Sequence, residues 1–363
     1  MHPAQLSTTP SFSQLPLFIE CSDSKISTVL AKLSPSTSTF LSAQSTSYHL
    51  LETIVGNASS TSPLFIHENP YSKGSQSYIF QAYKITGVVI EKFLLIVPRK
   101  EEDARFKIPF SIDQVMLQKK AARSGIAPDI HIVQSSSFEA YLMEKVQGEN
   151  LQDLFKENSG FSLRFRRDLS IKIIEAIVKL HNDLQIAHQD IQPSSIVLET
   201  GPDGSFIPLL CSFGLATDQP TIETPLGADL YQPIEWDYDS SLTDLEREDH
   251  PLETQKKDLY QLGLTLFYIF KGKHFKEEFD HYLKLKTIEE DWIERMQDVG
   301  SLDDFSCVHD DFCRDFLDFK FHEEPSQIKN AIRGLLRTTC TDRISLESAV
   351  HLLKSVQKFP IEA

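Results

Sequence analysis

Residues 188–195, His-Gln-Asp-Ile-Gln-Pro-Ser-Ser, are the stretch of this chain that decides its fold. Apolar residues recur at helical spacing between 163 and 182, a stripe that normally packs against a core. Residues 211–216, Cys-Ser-Phe-Gly-Leu-Ala, follow farther along the chain. A single carboxylate, that of Asp190, therefore lies in a polar segment just after a packed helix.

The size and charge of the chain limit its partners. Its 363 residues are enough for one two-lobed domain with a tail. A formal net charge of -16 repels phosphate backbones and anionic lipid, so we expect no nucleic acid among its partners. Apolar runs all fall short of the ~18 residues that a membrane-spanning helix needs, so no membrane span is expected.

Cysteine usage and the N-terminus indicate a compartment. Five scattered cysteines in so long a chain favour reducing conditions over a disulfide framework. Cys307, His309 and Cys313 lie close together, but no second cluster completes a tetrahedral site, so we expect no metal there. The N-terminus lacks the pattern of a Sec-type signal. We expect a cytoplasmic protein, or one secreted into a host cell by a non-Sec route.

Composition divides the chain into three parts. Residues 1–62 are rich in Ser and Thr and are predicted to form a mostly disordered tail. Residues 63–146 contain two β-rich runs, 77–84 and 88–97, joined by a predicted hairpin turn. Residues 147–363 are mainly helical in pattern. The predicted fold class is α+β, with a small β-rich N-lobe and a larger helical C-lobe.

Residues 180–198 resemble the segment of protein kinases in which a helix leads to the His-Arg-Asp catalytic loop. Residues 211–216 stand in the place of Asp-Phe-Gly-Leu-Ala, and residues 227–235 resemble the end of the activation segment. Several such matches, in the right order across residues 71–354, identify the chain as similar to the protein kinase-like superfamily. The resemblance implies the bilobal kinase fold.

The resemblance assigns structural roles to a second group of residues. Asp258 matches the aspartate that opens the long central helix of the large lobe. Arg343 matches the arginine that pairs with an activation-segment glutamate, here Glu235. His188 and Gly214 belong to the two motifs around the catalytic loop. Their retention implies that the large-lobe architecture is kept.

Small-lobe matches are looser. Gly74 lies in the frame of the glycine-rich loop, but two of the three glycines of that loop are replaced by Ser72 and Ser77. Met143 and Glu144 resemble the hinge. By resemblance, Gly74, Met143 and Glu144 are therefore cofactor-binding positions.

Lys92 resembles the lysine that contacts ATP, and it has two interpretations. As that lysine it needs an acidic partner, and Gln114 occupies the expected glutamate position without a charge. Asp113, next to it, is the alternative partner. An exposed lysine on a strand edge fits the sequence equally well.

The decisive departures concern metal ligands. Ser195 and Ser212 stand where kinases carry the asparagine and aspartate that hold two Mg²⁺ ions. A neutral hydroxyl is a poor ligand for an ion that prefers carboxylates. Gln192 also replaces the lysine that would neutralise the transferring phosphate. We therefore predict no metal at this site.

Asp190 remains at the catalytic-base position, and it too has two interpretations. One is residual base chemistry, and the other is a structural role through bonds to neighbouring backbone. The loss of the metal ligands, of the lysine now replaced by Gln192 and of two glycines favours the structural role. Ala228 and Gln189 are two other replacements that point the same way. Asp190 is thus predicted to be a vestigial base.

These departures predict a catalytically inactive pseudokinase that acts as a protein-interaction scaffold or allosteric regulator. Its partner would be a protein such as a kinase or a host signalling protein. No cofactor is required, and ATP without metal is the ligand left open. The alternative is an unconventional ATP-dependent transferase, or a weak Ser/Thr kinase that uses Asp190. The Ser/Thr-rich N-terminus also suggests a secreted bacterial effector.

Overall fold

The computed structural model describes residues 48–55, 62–67, 71–73, 77–86, 89–98, 111–134, 139–157, 160–201, 204–222, 227–234, 252–286, 292, 294–295 and 302–356. The chain divides into two compact units. The N-terminal unit comprises Met1–Arg123 and Pro128–Val146, and the C-terminal unit comprises Ser124–Ala127 and Gln147–Ala363.

The N-terminal unit is built on one mixed-length antiparallel sheet followed by a helix. Its elements are β1 (Tyr48–Val55), β2 (Ser62–His67), β3 (Ser72–Lys73), β4 (Ser77–Thr86), β5 (Val89–Pro98), α1 (Ile112–Arg123), β6 (Ile130–Gln134) and β7 (Glu139–Glu144). The described strands lie in the order β2-β1-β6-β7-β5-β4-β3, and β2 also pairs with β4. The two ends of the strand order are thereby brought together.

The hairpin β4–β5 has the longest strand pairing among the described strands of this unit. Its strands pair from Ser77 opposite Pro98 to Thr86 opposite Val89, which matches the predicted hairpin. Because side chains alternate between the two faces of a strand, one face of the hairpin contributes six residues to a buried apolar cluster, which β2, β6 and β7 complete. That cluster is Ile66, Tyr78, Phe80, Ala82, Phe93, Leu95, Val97, Val133, Ala140 and Leu142.

Strand β1 corrects the predicted boundary of the tail. Residues 1–62 were expected to be mostly disordered, whereas Tyr48–Val55 pairs with Ser62–His67 over six residues and with β6 at its end. The segment is rich in apolar and β-branched residues, which favour a strand. Its serine- and threonine-rich surroundings hid that signal. The remainder of the predicted tail, 1–47, lies outside the described residues.

The C-terminal unit is mainly helical. Its elements are β8 (Gly148–Asn150), α2 (Leu151–Glu157), α3 (Leu163–Val178), β9 (Ile196–Thr200), β10 (Phe206–Leu210), β11 (Thr221–Ile222), β12 (Leu252–Glu253), α4 (Thr254–Lys271), α5 (Phe275–Leu285), α6 (Leu302–Lys320), α7 (Ser326–Leu335) and α8 (Leu346–Lys354). Strands β10, β9 and β8 form a small sheet, and β11 pairs with β12.

Helix α4 is the core of this unit, since fifteen of its eighteen residues are buried. Gly263 lets α7 approach closely, because a Cβ at Gly263 would lie 2.8 Å from a methyl carbon of Leu336. Phe267 packs edge-on against Phe275, with ring centroids 5.2 Å apart. Helix α4 therefore packs against both α7 and α5.

The architecture confirms the predicted fold class, α+β, with a β-rich N-terminal region and a larger helical C-terminal region as in the bilobal kinase fold. Among the described helices, none combines the length and the apolar character that crossing a bilayer requires.

Candidate functional site

Asp258, near the start of α4, anchors the loop at 188–190. Its carboxylate is fully buried and accepts the backbone N–H groups of His188 and Gln189, each at 2.7 Å. The same carboxylate lies 2.8 Å from Nε2 of His181, in the helical turn Lys179–Asp183 that follows α3. Bonds from several donors offset the cost of burying a carboxylate. The carboxylate of Asp258 thus joins the start of α4 to the backbone of the loop.

Two further side chains of α4 continue this contact with the loop. Oε1 of Gln261 accepts the N–H of Ile191 at 2.9 Å, and its Nε2 donates to the Gln189 carbonyl at 3.2 Å. Thr265 Oγ1 is 3.4 Å from the Ile191 carbonyl. Asp258, Gln261 and Thr265 share one face of the helix because they are spaced by three and four residues. We call this face the loop template.

Sequence reasoning found Asp258 and missed the other two members of the loop template. The signal was available, since polar residues at spacings of three and four in an otherwise apolar helix are unusual. Gln261 and Thr265 are both fully buried. Buried polar groups need hydrogen-bond partners, and here the partners are the loop backbone.

His188 joins the loop to residues 211–214. Its Nε2 is 2.8 Å from the Cys211 carbonyl, and its Nδ1 accepts the N–H of Asp190 at 3.3 Å. The ring also stacks edge-on against Phe213, with centroids 4.8 Å apart. Complete burial lowers the pKa of His188, although Asp258 and Asp190 oppose the shift. The neutral ring, protonated on Nε2, fits both bonds.

Ser195 is buried within the loop, with 2% of its surface exposed. Its Oγ accepts the Gln192 N–H at 3.0 Å and lies 2.7 Å from the Asp190 carbonyl oxygen, to which it can donate. These bonds close the short helical turn Pro193–Ser195. The hydroxyl is therefore used by the main chain of its own loop.

Ser212 lies beside Ser195 in space, because the Cys211 N–H donates to the Ser195 carbonyl at 2.8 Å. Ser212 adopts a left-handed backbone conformation with φ +67° and has an exposed side chain. The turn Phe213–Leu215, which contains Gly214, follows it. The structure thus brings together the two positions that the resemblance assigns to metal ligands.

Asp190 has a partly exposed carboxylate. Its Oδ1 accepts a hydrogen bond from Nε2 of Gln192 at 2.9 Å. A neutral amide therefore contacts the carboxylate from the position where the resemblance places a lysine. Asp190, His188, Ser195 and Ser212 all lie in the C-terminal unit.

Lys257 is a site residue that sequence reasoning missed. It precedes Asp258 and is fully buried. A Cβ built on Gly227 would lie 3.4 Å from its Nζ and 3.2 Å from the Gln189 carbonyl oxygen, so the ammonium lies beside the loop. Burial lowers the pKa of Lys257 to about 8, against the opposing charges of Asp258 and Asp190. Its neighbours at 253–258 are all polar, so the sequence alone does not predict that Lys257 is buried.

Arg343, which follows α7 in the chain, is buried against the first turn of α4. Its guanidinium donates to the main-chain carbonyls of Arg337, Lys256 and Thr338 at 2.8 to 3.0 Å. It also lies over the ring of Tyr260, 4.9 Å from the centroid. These contacts agree with a structural role. Its predicted partner, Glu235, lies outside the described residues.

In the N-terminal unit, Lys92 lies near the hinge. The carbonyl of Lys92 accepts the N–H of Lys145 at 3.1 Å, and the side chain of Lys92 is exposed. Burial lowers the pKa of Lys145, and the positive charge of Lys92 adds to that shift. Of the hinge residues, Met143 is buried and Glu144 is exposed. Gly74 lies outside the described residues.

Helix α1 uses its glutamines differently from what the sequence suggested. Gln114 accepts the N–H of Ser111 at 2.7 Å, a contact at the start of the helix. Gln118, one turn later, is buried and donates to the Pro128 carbonyl at 3.1 Å. Its Nε2 is also 3.2 Å from the sulfur of Met143. The buried face of α1 therefore presents Gln118, which sequence reasoning missed.

Within the described ranges, no three His, Cys, Asp or Glu side chains come together to hold a metal ion. His309 Nε2 lies 3.3 Å from the sulfur of Cys313, but Cys307 is exposed. Burial raises the pKa of the Cys313 thiol well above its ordinary value, which keeps it protonated. Around residues 188–195, the two positions that the resemblance assigns to metal ligands carry neutral hydroxyls, and the nearby carboxylate is that of Asp190.

Comparison with known proteins shows the family to which this chain is similar. The family model for the protein kinase domain matches residues 97–353. The chain is 26% identical over 179 residues to serine/threonine-protein kinase PknA of Nostoc sp., covering 46% of this chain and 29% of that protein.

Two further relatives are named as serine/threonine-protein kinases, one of them as a probable one. The probable serine/threonine-protein kinase fhkD of Dictyostelium discoideum is 27% identical over 172 residues, covering 46% of this chain and 23% of that protein. Serine/threonine-protein kinase tousled-like 1 of Caenorhabditis elegans is 24% identical over 230 residues, covering 62% and 23%. The chain spans less than a third of each of these relatives. Because the family match covers well over half of it, the chain belongs to the protein kinase domain family.

Proposed function

We propose that this protein is a pseudokinase, a kinase-domain protein that does not carry out Mg²⁺-dependent phosphoryl transfer and acts by binding another protein. The observation that carries the proposal is the hydrogen bonding of the Ser195 hydroxyl. At a metal-ligand position of the family, its hydroxyl is buried and bonded to the main chain of its own loop.

The chemistry of phosphoryl transfer explains why this matters. The protein contributes positioning and charge neutralisation, and the metal ions carry much of that charge. A hydroxyl has one proton and two lone pairs, and Ser195 already uses the proton and one lone pair within the loop. Ser212 supplies a second neutral oxygen where the family has a carboxylate. Neither oxygen provides the negative charge that Mg²⁺ favours.

The kept residues support a scaffold. The loop template holds the loop through buried bonds, and Arg343 holds the start of α4. These contacts maintain the shape of the C-terminal unit without requiring a nucleotide. A protein partner, such as a kinase or a host signalling protein, is therefore the class of ligand that we propose.

A thermal-shift titration with ATP, with and without Mg²⁺ or Mn²⁺, tests the proposal. We expect no metal-dependent shift in the wild-type protein. The variant Ser195→Asn with Ser212→Asp, which restores the family ligands, should acquire one. Metal-dependent stabilisation of the wild type that Asp190→Ala abolishes would contradict the proposal.

The second candidate is a weak Ser/Thr kinase or an unconventional ATP-dependent transferase. The partly exposed carboxylate of Asp190 favours it, as do the names of the curated relatives. A transfer assay with labelled ATP and a generic basic protein substrate separates the two candidates. Transfer by the wild type, lost in Asp190→Asn, would establish the second.

Secretion as a bacterial effector rests on the Ser/Thr-rich composition of residues 1–62 alone. Fusion of residues 1–30 to a reporter in a bacterium with a type III secretion system tests it. Retention of the reporter in the bacterium would remove the hypothesis.

A further inference from the structure

We propose that a neutral His309 fastens helix α6 to the segment 337–343, which follows α7, and that acidification opens this fastening. The inference goes beyond the proposed function and does not depend on it. His309 lies on α6 with 1% of its surface exposed. Its ring contacts Thr338 of that segment and Cys313, one helical turn farther along α6.

The hydrogen bonds around His309 have a fixed direction, because they end at a carboxylate. Oδ1 of Asp310 accepts the backbone N–H and the hydroxyl of Thr338, at 3.1 and 3.0 Å. Since that hydroxyl has one proton, Thr338 Oγ1 accepts from Nδ1 of His309 at 2.6 Å. The other ring nitrogen, Nε2, faces the sulfur of Cys313 at 3.3 Å and accepts from the thiol. His309 is therefore neutral, with its proton on Nδ1.

The segment 337–343 connects this fastening with the start of α4. Arg343 donates to the Thr338 carbonyl at 3.0 Å and to the Lys256 carbonyl at 2.9 Å. Thr338 is thus bonded to α6 through its side chain and to Arg343 through its carbonyl. The residue that holds the first turn of α4 is in this way tied to His309.

Charged groups from three elements act on His309 within the described part of the chain. They are Asp310 on α6, Lys276 on α5, and Arg337 and Arg343 in the segment 337–343, Arg337 through its ion pair with Asp310. Burial lowers the pKa of His309. Asp310 opposes this shift, whereas the charges of Lys276 and Arg343 add to it.

The direction of this shift gives the sign of the pH dependence. A proton added to Nε2 would place a charge in a buried site and remove the acceptor of the Cys313 thiol. The unfolded chain takes up that proton near pH 6.5 and the folded chain only at lower pH, so stability falls as the pH drops below about 6.5. Although burial opposes it, the hydrogen bonds of Asp310 lower the pKa of its carboxyl, so its contribution is lost only below about pH 4.

Urea denaturation of the full chain between pH 7 and pH 5 tests the proposal. His309→Asn keeps an N–H donor near the place of Nδ1 and cannot be protonated. The unfolding equilibrium constant of the wild type should rise relative to that of this variant by up to about tenfold for each pH unit below 6.5. His281→Asn, at an exposed histidine of α5, is the matched control and should follow the wild type.

The comparison with His309→Asn is needed because burial also lowers the pKa of His188, which contributes to the wild-type slope in the same pH range. The two proteins share that contribution, so their difference isolates His309. The same pH dependence in the wild type and in His309→Asn would overturn the proposal.

Measurements on the wild type alone give a second test, which does not require the variant to fold. In spectra of the protein labelled with ¹⁵N-histidine, His309 should be neutral at pH 7 with its proton on Nδ1. Between pH 7 and pH 5, the Thr338 amide should lose more protection against hydrogen exchange than the Leu210 amide, which donates to the Ile126 carbonyl at 2.8 Å. A proton on Nε2 at pH 7, or equal loss of protection at the two amides, would overturn the proposal.

Discussion

Two buried residues in or beside the loop at 188–195, Lys257 and Ser195, affect the free energy of unfolding in opposite directions. Lys257 is buried beside two carboxylates, and yet burial lowers its pKa to about 8. Desolvation therefore outweighs the attraction of Asp258 and Asp190. At neutral pH the folded protein holds an ammonium whose charged form is disfavoured relative to the unfolded chain.

We predict that Lys257→Met raises the free energy of unfolding at pH 7 by about 3 to 4 kcal/mol, from the size of the pKa difference. Below pH 8 the lysine is protonated in both states and the full cost is present. Between pH 8 and about 10.5 only the unfolded chain binds the proton, so wild-type stability should rise relative to the variant. Urea denaturation across this range measures both effects. Lys256→Met, at a partly exposed neighbour, should change neither.

Ser195 gives a prediction of the opposite sign. Ser195→Ala removes the partner of the Gln192 N–H and of the Asp190 carbonyl inside a buried turn, and should lower the free energy of unfolding by about 1–3 kcal/mol. Ser194→Ala, at the exposed neighbouring position, serves as the control and should have little effect. Equal effects of the two substitutions in urea denaturation would show that the buried hydroxyl is not structural.

At the scale of elements, helix α4 organises the site. The loop template presents a carboxylate, an amide and a hydroxyl to the backbone of residues 188–191. Sequence could identify the helix and Asp258, because a family motif marks them. It could not show that Lys92 lies at the hinge end of β5, since alternation fixes the face of a residue but not the element that lies opposite it.

We predict that Gln261→Met, which keeps the length of the side chain and removes its amide, lowers the free energy of unfolding by about 1–3 kcal/mol. The loss arises because the Ile191 N–H and the Gln189 carbonyl are left without their partner. Gln255→Met, in the first turn of the same helix, is the matched control. Thermal and urea denaturation would reveal a change in the first variant only. Equal stabilities of the Gln261→Met and Gln255→Met variants would show that the loop template does not stabilise the fold.

At the scale of the whole molecule, the sequence predicted the α+β class because separate β-rich and helical regions are visible in its patterning. The family motifs located the catalytic loop and its neighbours. Two features of the structure could not be predicted from the sequence. The strand Tyr48–Val55 is surrounded by serine- and threonine-rich sequence, and Lys257 is buried near Gly227, a residue thirty positions earlier that no local pattern connects with it.

Metal independence is a prediction for the molecule as a whole. The described residues bring no three metal-binding side chains together, and burial keeps the Cys313 thiol protonated. We therefore expect EDTA, Mg²⁺ or Zn²⁺ to leave the melting temperature unchanged in differential scanning calorimetry. A fall in melting temperature with EDTA, reversed by Zn²⁺, would contradict this. Cys313→Ser would then test whether the Cys313–His309 pair binds the metal.

The loop template has a consequence for hydrogen exchange. The N–H groups of His188, Gln189 and Ile191 each donate to a buried side chain of α4. Such an amide can exchange with solvent only when the helix and the loop separate. Because α4 is the core of the C-terminal unit, that separation amounts to opening the most stable part of the unit. We therefore expect the backbone amides of residues 188, 189 and 191 to exchange as slowly as those of the core of the C-terminal unit.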